Sequence, residues 1–185
     1  MNRYWVCEPN SFSAEECDKI IEYAMTLPSE KSSVGTTVRD FYRRSLIRWV
    51  RQEDERFSWV FDKLWRIMIT NNDKHFKFNV HSLHPIQFTE YDESYLGEYN
   101  LHQDLTWVNS FDTHRKISMS VQLSDPATYE GGDFVFDKCD QPNSSQLRAR
   151  GTVLTFPSFM YHKVTPVTKG RRYSLVAWFK GPKFV

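Results

Sequence analysis

The chain reads as a mainly β protein with flanking α-helices, a double-sheet jelly roll of the cupin type with two N-terminal helices packed on one sheet. Three observations predict this. Two stretches with helical apolar spacing come early, at 13–27 and 54–70. About eight short segments follow in which apolar and polar residues alternate. Turn-forming pairs, among them Asp125-Pro126 and Gly131-Gly132, separate those segments.

Taken in order, 4–8 is a short strand. Ser13-Ala-Glu-Glu16 is a capping box, with Phe12 and Cys17 placed to staple it. Ile20, Ile21, Ala24 and Leu27 make the apolar stripe of the first helix, and Pro28 ends it. The polar stretch 29–44, with Gly35 and little apolar content, reads as a mobile loop that closes over substrate. A strand over 45–51 precedes the second helix, which places Phe57, Phe61, Leu64 and Met68 on one side. Phe76, Phe78 and Val80 alternate with polar residues and predict a strand. Further strands are expected at 85–91, 98–104, 116–124, 133–137, 152–156, 162–166 and 172–179, with Pro166 and Gly170 bracketing a turn between the last two. Ile117, Met119, Val121 and Leu123 alternate cleanly with Ser118, Ser120 and Gln122. There are no internal repeats and no low-complexity tracts.

Composition narrows the class. A chain of 185 residues with 16% aromatics suits one domain with a packed core. The 24 basic and 23 acidic side chains leave a net charge of +1, so neither nucleic acid nor a membrane is expected as a partner. The start lacks the apolar run of a signal peptide, and no segment approaches the length of a membrane span. Three cysteines, Cys7, Cys17 and Cys139, form no C-x-x-C spacing and argue for a reducing, cytoplasmic compartment. The pattern assigns no oligomeric state.

The chemistry concentrates in His102-Gln103-Asp104, His162 and Arg172. Two histidines and one carboxylate are the protein ligands of a mononuclear non-haem iron(II) site that keeps open positions. In extended chain, residues i and i+2 share a face, so His102 and Asp104 point into one cavity and Gln103 turns away. His162 is then expected from a strand that crosses opposite them. Arg172 suits an anionic co-substrate at the depth of the same cavity. A lone H-x-D commonly sits in a surface turn. Here a later string decides: a histidine opens a strand, Pro166 and Gly170 follow, and an arginine opens a final alternating strand that runs to Trp178.

These residues resemble the iron(II)/2-oxoglutarate-dependent dioxygenases, in their prolyl 4-hydroxylase-like branch. The resemblance covers 87–178. It is carried by Tyr91, Tyr99, the H-x-D, Gly131-Gly132 and the run His162, Val164, Pro166, Val167, Thr168, Gly170 and Arg172. It implies a double-stranded β-helix core over 85–180, supported by a helix-rich region 1–84 within a single catalytic domain 1–185. It implies His102, Asp104 and His162 as the iron ligands and catalytic centre. It implies Arg172, Ser174 and Tyr91 around 2-oxoglutarate, and Tyr99, Arg115 and Trp178 around the substrate. The implied co-reactants are Fe(II), 2-oxoglutarate and O2, with ascorbate for sustained turnover. The implied reaction hydroxylates prolyl residues of a peptide or protein and releases succinate and CO2. Phe134 stands where some prolyl hydroxylases carry a co-substrate threonine, so that contact is missing.

Plainer readings accompany the sharp ones. Tyr99 and Trp178 read equally as core aromatics and Arg115 as a solvated loop cation. Arg171 is the rival of Arg172, but strand alternation turns it outward. His75, His81 and His84 read as surface or hydrogen-bonded strand residues, and His114 as an exposed loop residue. Arg39, Arg43, Arg44, Arg48 and Arg51, interleaved with Phe41, Tyr42 and Trp49, could bind nucleic acid or an acidic peptide, but offset by Glu53, Asp54 and Glu55 they read as a solvated face and a substrate loop. Two other functions stay open on the residues alone. One is a 2-oxoglutarate oxygenase for a free amino acid or nucleobase; the other is a non-catalytic jelly-roll binding module.

Overall fold

The structure, a computed structural model, describes residues 4–31 and 42–185. In chain order its elements are β1 (Val6–Glu8), α1 (Ala14–Met25), β2 (Glu30–Lys31), β3 (Arg43–Arg44), β4 (Leu46–Val50), α2 (Ser58–Asn71), β5 (Ser82–Leu83), β6 (Ile86–Asp92), β7 (Glu98–His102) and β8 (Thr113–Gln122). They continue with β9 (Tyr129–Gly131), β10 (Phe134–Phe136), α3 (Ser144–Arg148), β11 (Val153–Pro157), β12 (His162–Val164) and β13 (Val167–Pro182). A large sheet runs β1-β11-β8-β13-β6-β4-β2, with β5 and β9 also paired to β13. A small sheet runs β10-β12-β7-β3. Every pairing is antiparallel. This is a jelly-roll-like arrangement of two sheets.

Register sorts the large sheet into two chemically different faces. Met119 lies opposite Ala177, Val121 opposite Leu175, and Leu175 opposite Phe88. These residues form one apolar cluster with Ile20 and Ala24 of α1 and Val60, Phe61, Leu64 and Met68 of α2. The alternate residues face the other way. Ser118 lies opposite Trp178, Gln122 opposite Ser174, and Arg172 opposite Tyr91. The clean alternation at 117–123 is thus the boundary between an apolar core and a polar cavity.

Local signals explain the helix ends. Ser13 accepts from the Glu16 amide at 3.1 Å, and Glu16 accepts from the Ser13 amide at 2.7 Å, which closes the capping box. Phe12 and Cys17 are both buried in the main core. The second helix begins with a 3-10 turn, Glu55–Phe57, before α2.

Several expectations change. No strand forms at 76–80. The Asn72 amide side chain takes the N–H and the C=O of Phe78, both at 2.8 Å, and so uses the groups that a strand partner needs. Lys77 adopts a left-handed φ of 60°, and Phe76 stacks on Phe78. The turn expected between Pro166 and Gly170 is instead a bulge within the long strand β13, where register shifts between Val167 and Lys169 against β9. Helix α3 carries no apolar period and was not foreseen. The expected loop 29–44 contains strands β2 and β3 at its ends; residues 32–41, Arg39 among them, lie outside the described residues. His114 is buried, not exposed: its Nε2 donates to the Trp107 carbonyl at 3.1 Å and its Nδ1 accepts from the Phe184 amide at 3.1 Å. Arg43 and Arg48 are buried too, against the reading of a solvated basic face. Arg48 pairs with Glu90 at 2.9 Å on the helix side of the sheet.

Candidate active site

His102 ends β7 and His162 begins β12. The two are direct cross-strand partners in the small sheet, with ring centroids 4.2 Å apart. His162 therefore comes from the neighbouring strand, and not from one crossing opposite, because the H-x-D strand and the later histidine strand pair with each other. Asp104 lies just past the end of β7. Its amide and that of Leu105 both donate to the Ser158 carbonyl, at 2.9 and 3.0 Å, which turns the chain and returns the carboxylate toward the histidines. Asp104 Oδ1 lies 3.8 Å from His102 Nε2, and Asp104 Oδ2 lies 3.8 Å from His162 Nε2. One ligand atom from each of the three residues falls within a common 4.8 Å.

Hydrogen bonds outside the cluster set its protonation. His102 Nδ1 donates to the Asn100 carbonyl at 2.8 Å, and His162 Nδ1 donates to the Met160 carbonyl at 2.9 Å. With Nδ1 so occupied, Nε2 is the ring nitrogen that each histidine turns toward the cluster. Burial, reinforced by His162, pushes His102 down to about 3 and keeps it neutral. Burial alone would raise the Asp104 carboxyl. His162, His102, Arg115 and a 2.7 Å hydrogen bond from Ser118 outweigh it and hold the group below the usual carboxylate range. Two imidazole Nε2 atoms and a carboxylate are the donor set that suits iron(II), so these residues fit such an ion.

A cavity runs inward from the cluster. Arg172, Ser174, Tyr91 and Trp178 line it, as do His102, Asp104 and His162. Arg172 is 4% exposed, and its Nε donates to Gln122 Oε1 at 3.0 Å. Gln122 is held in turn by Nε2 donation to Tyr129 Oη at 2.9 Å. Among the described residues no carboxylate pairs with Arg172. A buried cation without a counter-ion is costly, and an anionic ligand in the cavity would offset that cost. Gly132 makes room for it: a Cβ there would lie 2.9 Å from Arg172 Cδ. Arg171 turns outward and pairs with Asp92 at 2.5 Å.

Tyr99 stacks on His102 with centroids 3.5 Å apart, and Arg43 covers its other side at 4.3 Å. Burial pushes the Tyr99 hydroxyl up to about 12, so it stays protonated. Arg115 lies over the Trp178 ring at 3.9 Å and donates to the Asp104 carbonyl at 3.4 Å. The nine singled-out residues thus converge on one region. The residues missed were Ser118, Gln122, Arg43 and Phe134 in its packing role. Phe134 stacks on His162 at 4.9 Å, an aromatic support where a threonine contact is absent. Ser118 and Gln122 were visible as the polar half of the 117–123 alternation. Arg43 gave no signal within its basic run.

A sequence model of the 2OG-Fe(II) oxygenase superfamily matches residues 86–180, just over half of the chain. The chain belongs to that superfamily. A PKHD-type hydroxylase of Picosynechococcus sp. is 33% identical to this oxygenase over 97 residues, covering 52% of the chain and 42% of the relative. A PKHD-type hydroxylase of Shewanella frigidimarina is 34% identical over 104 residues, covering 54% and 45%. The match therefore spans less than half the length of these relatives. Solved structures extend the likeness across the whole fold. The viral collagen prolyl hydroxylase of Paramecium Bursaria Chlorella virus-1, in its 2OG complex, superposes with a TM-score of 0.74 at 18% identity and covers 97% of both chains. A Pseudomonas putida prolyl-4-hydroxylase superposes at 0.71 and 18%, covering 96% of this chain and 93% of its own. The oxygenase therefore shares the fold of prolyl hydroxylases.

Proposed function

We propose that this oxygenase is an iron(II)- and 2-oxoglutarate-dependent dioxygenase that hydroxylates prolyl residues of a peptide or protein. The observation that carries the reading is the His102, Asp104 and His162 cluster with the counter-ion-free Arg172 in the same buried cavity. Iron(II) with 2-oxoglutarate and O2 supplies an oxidative decarboxylation to succinate and CO2, coupled to insertion of one oxygen atom into a substrate C–H bond.

The chain's own residues do the positioning. His102, Asp104 and His162 would hold the ion. The carbonyls of Asn100 and Met160 fix the two imidazole tautomers, and Ser118 fixes the carboxylate. Arg172 would bind the far carboxylate of 2-oxoglutarate, steered by Gln122, with Ser174 and Tyr91 on the same cavity wall. Tyr99, Arg115 and Trp178 stand at the substrate side of the cluster. The prolyl target is supported by the named relatives and the shared fold.

The test is succinate release from 2-oxoglutarate with iron and ascorbate, together with mass spectrometry of proline-containing peptides for a gain of one oxygen. Asp104→Ala should lose turnover and weaken iron binding, because the carboxylate both neutralises and anchors the ion. Full succinate release by that variant would overturn the assignment.

A further inference from the structure

Next to Trp178, which lines the cavity, lies a charge arrangement that the hydroxylation reading leaves unused. Arg115 on β8 and Lys180 on β13 are directly opposite one another in register. Like charges placed opposite on paired strands repel and destabilise the sheet. Among the described residues, no carboxylate forms an ion pair with either side chain. Burial, and then the Arg115 charge, hold the Lys180 ammonium below its ordinary range. The acidic residue nearest Arg115 is Asp104, whose backbone carbonyl it meets at 3.4 Å and whose carboxylate the metal would claim. Lys180 also lies 5.8 Å from the centre of the exposed Phe111 ring, a contact that offsets little of this repulsion at an exposed site.

A second, independent observation lies directly under Arg115. Trp178 is 5% exposed, lines the cavity and lies under the Arg115 guanidinium. Its Nε1 is buried and has no hydrogen-bond acceptor among the described residues. A buried indole N–H ordinarily finds one. Two facing cations that form no ion pair among the described residues, with an orphaned donor under one of them, call for an acceptor-rich anion.

We infer that Arg115, Lys180 and the Trp178 indole form a carboxylate-binding subsite beside the metal cluster, so that the substrate carries a carboxylate close to the carbon that is oxidised. This rests on the oxygenase reading above and narrows its substrate class. The carboxylate has two sources: an acidic side chain next to the target residue of a peptide, or the α-carboxylate of a free amino acid.

The experiment uses the full chain loaded anaerobically with iron(II) and saturating 2-oxoglutarate, with binding read by calorimetry. The probes are N-acetyl-Gly-Pro-Glu-amide against N-acetyl-Gly-Pro-Gln-amide, and L-proline against L-prolinamide. One carboxylate probe should bind about tenfold more tightly than its neutral partner, the scale of a charge-assisted hydrogen bond. The pair that discriminates names the source. Lys180→Met should erase the gap and Lys180→Arg should keep it. Raising the salt should weaken the carboxylate probe more than the amide, a check that needs no variant. Equal affinities within both pairs, no measurable binding of either carboxylate probe, or a gap that survives Lys180→Met would each overturn the inference. The same preparation is assayed for 2-oxoglutarate binding and basal succinate release. Loss of those marks failure of the oxygenase reading; their retention without carboxylate preference marks failure of the subsite alone.

Discussion

Two adjacent arginines separate cleanly at the scale of single residues. Arg172 is buried against Gln122 in the cavity, while Arg171 is half-exposed and paired with Asp92 and Glu90. Arg172→Ala should raise the 2-oxoglutarate requirement by orders of magnitude and leave iron affinity nearly unchanged. Arg171→Ala should change that requirement little, since an exposed ion pair contributes under about 1 kcal/mol. The apparent 2-oxoglutarate affinity of both variants at saturating iron checks this, and a crippled Arg171→Ala would refute the assigned strand face. Gly132 tests the same pocket from its other side. Its φ is +64°, and an added Cβ would press on Arg172 Cδ and Val167 Cγ2, both at 2.9 Å. Gly132→Ala should weaken 2-oxoglutarate binding through displacement of Arg172. Calorimetry against wild type reads it, and an unchanged dissociation constant would show that the guanidinium accommodates the methyl group.

At the scale of elements, α1 is anchored by its first turn as well as by its buried stripe. Glu16 caps the Ser13 amide and pairs with Lys63 of α2 at 2.7 Å, tying the two helices together. Burial tends to raise the Glu16 carboxyl, but Lys63 and the Ser13 amide hold it below its ordinary value. A carboxyl lowered in the folded state stabilises the fold above its unfolded pKa of about 4.3, and that contribution is lost as pH falls through the folded value. Glu16→Gln should therefore be less stable than wild type at pH 7, and the two should converge as the solution is acidified through the carboxylate range. Ser13→Ala should cost about 1 kcal/mol through the lost cap. Urea unfolding across pH reads both; a wild-type advantage that persists at pH 2 would rule out the carboxylate as its source. The long strand β13 does a different job. Its 16 residues pair with β8 on one side and β6 on the other, so one element carries Arg172, Ser174 and Trp178 along the cavity wall.

For the whole molecule, the candidate metal cluster lies where the sheets meet. His102 and His162 belong to the small sheet, and Asp104 is tied by Ser118 to the large one. A ligand bound there stabilises the folded state by mass action, about 2.7 kcal/mol at a hundredfold excess over its dissociation constant. For a chain of this size that corresponds to a rise in Tm of about 5–10 °C. Anaerobic iron(II) should produce such a shift, a chelator should reverse it, and Asp104→Ala should abolish it. An equal shift in Asp104→Ala would place the ion elsewhere.

What the sequence by itself determined follows from local rules. Side chains alternate along a strand and recur every three to four residues along a helix, so the apolar stripes of α1 and α2 and the faces of β8 and β13 were legible. The metal cluster was legible because three chemically matched residues fall inside a long, correlated pattern. Decisions between segments were not legible. Whether His162 stands across from His102 or beside it depends on which strands pair, and spacing alone does not say. Phe76–Val80 alternates like a strand, yet Asn72 reaches across and takes its backbone groups, a contact that no period encodes. His114, Arg43 and Arg48 look solvated in one dimension; only the closure of distant segments over them removes the water. Among the described residues, the same closure leaves Arg172 and Lys180 without a paired carboxylate and the Trp178 indole without an acceptor. Those unmet polar groups exist only once the chain has folded, because in the open chain water satisfies each of them.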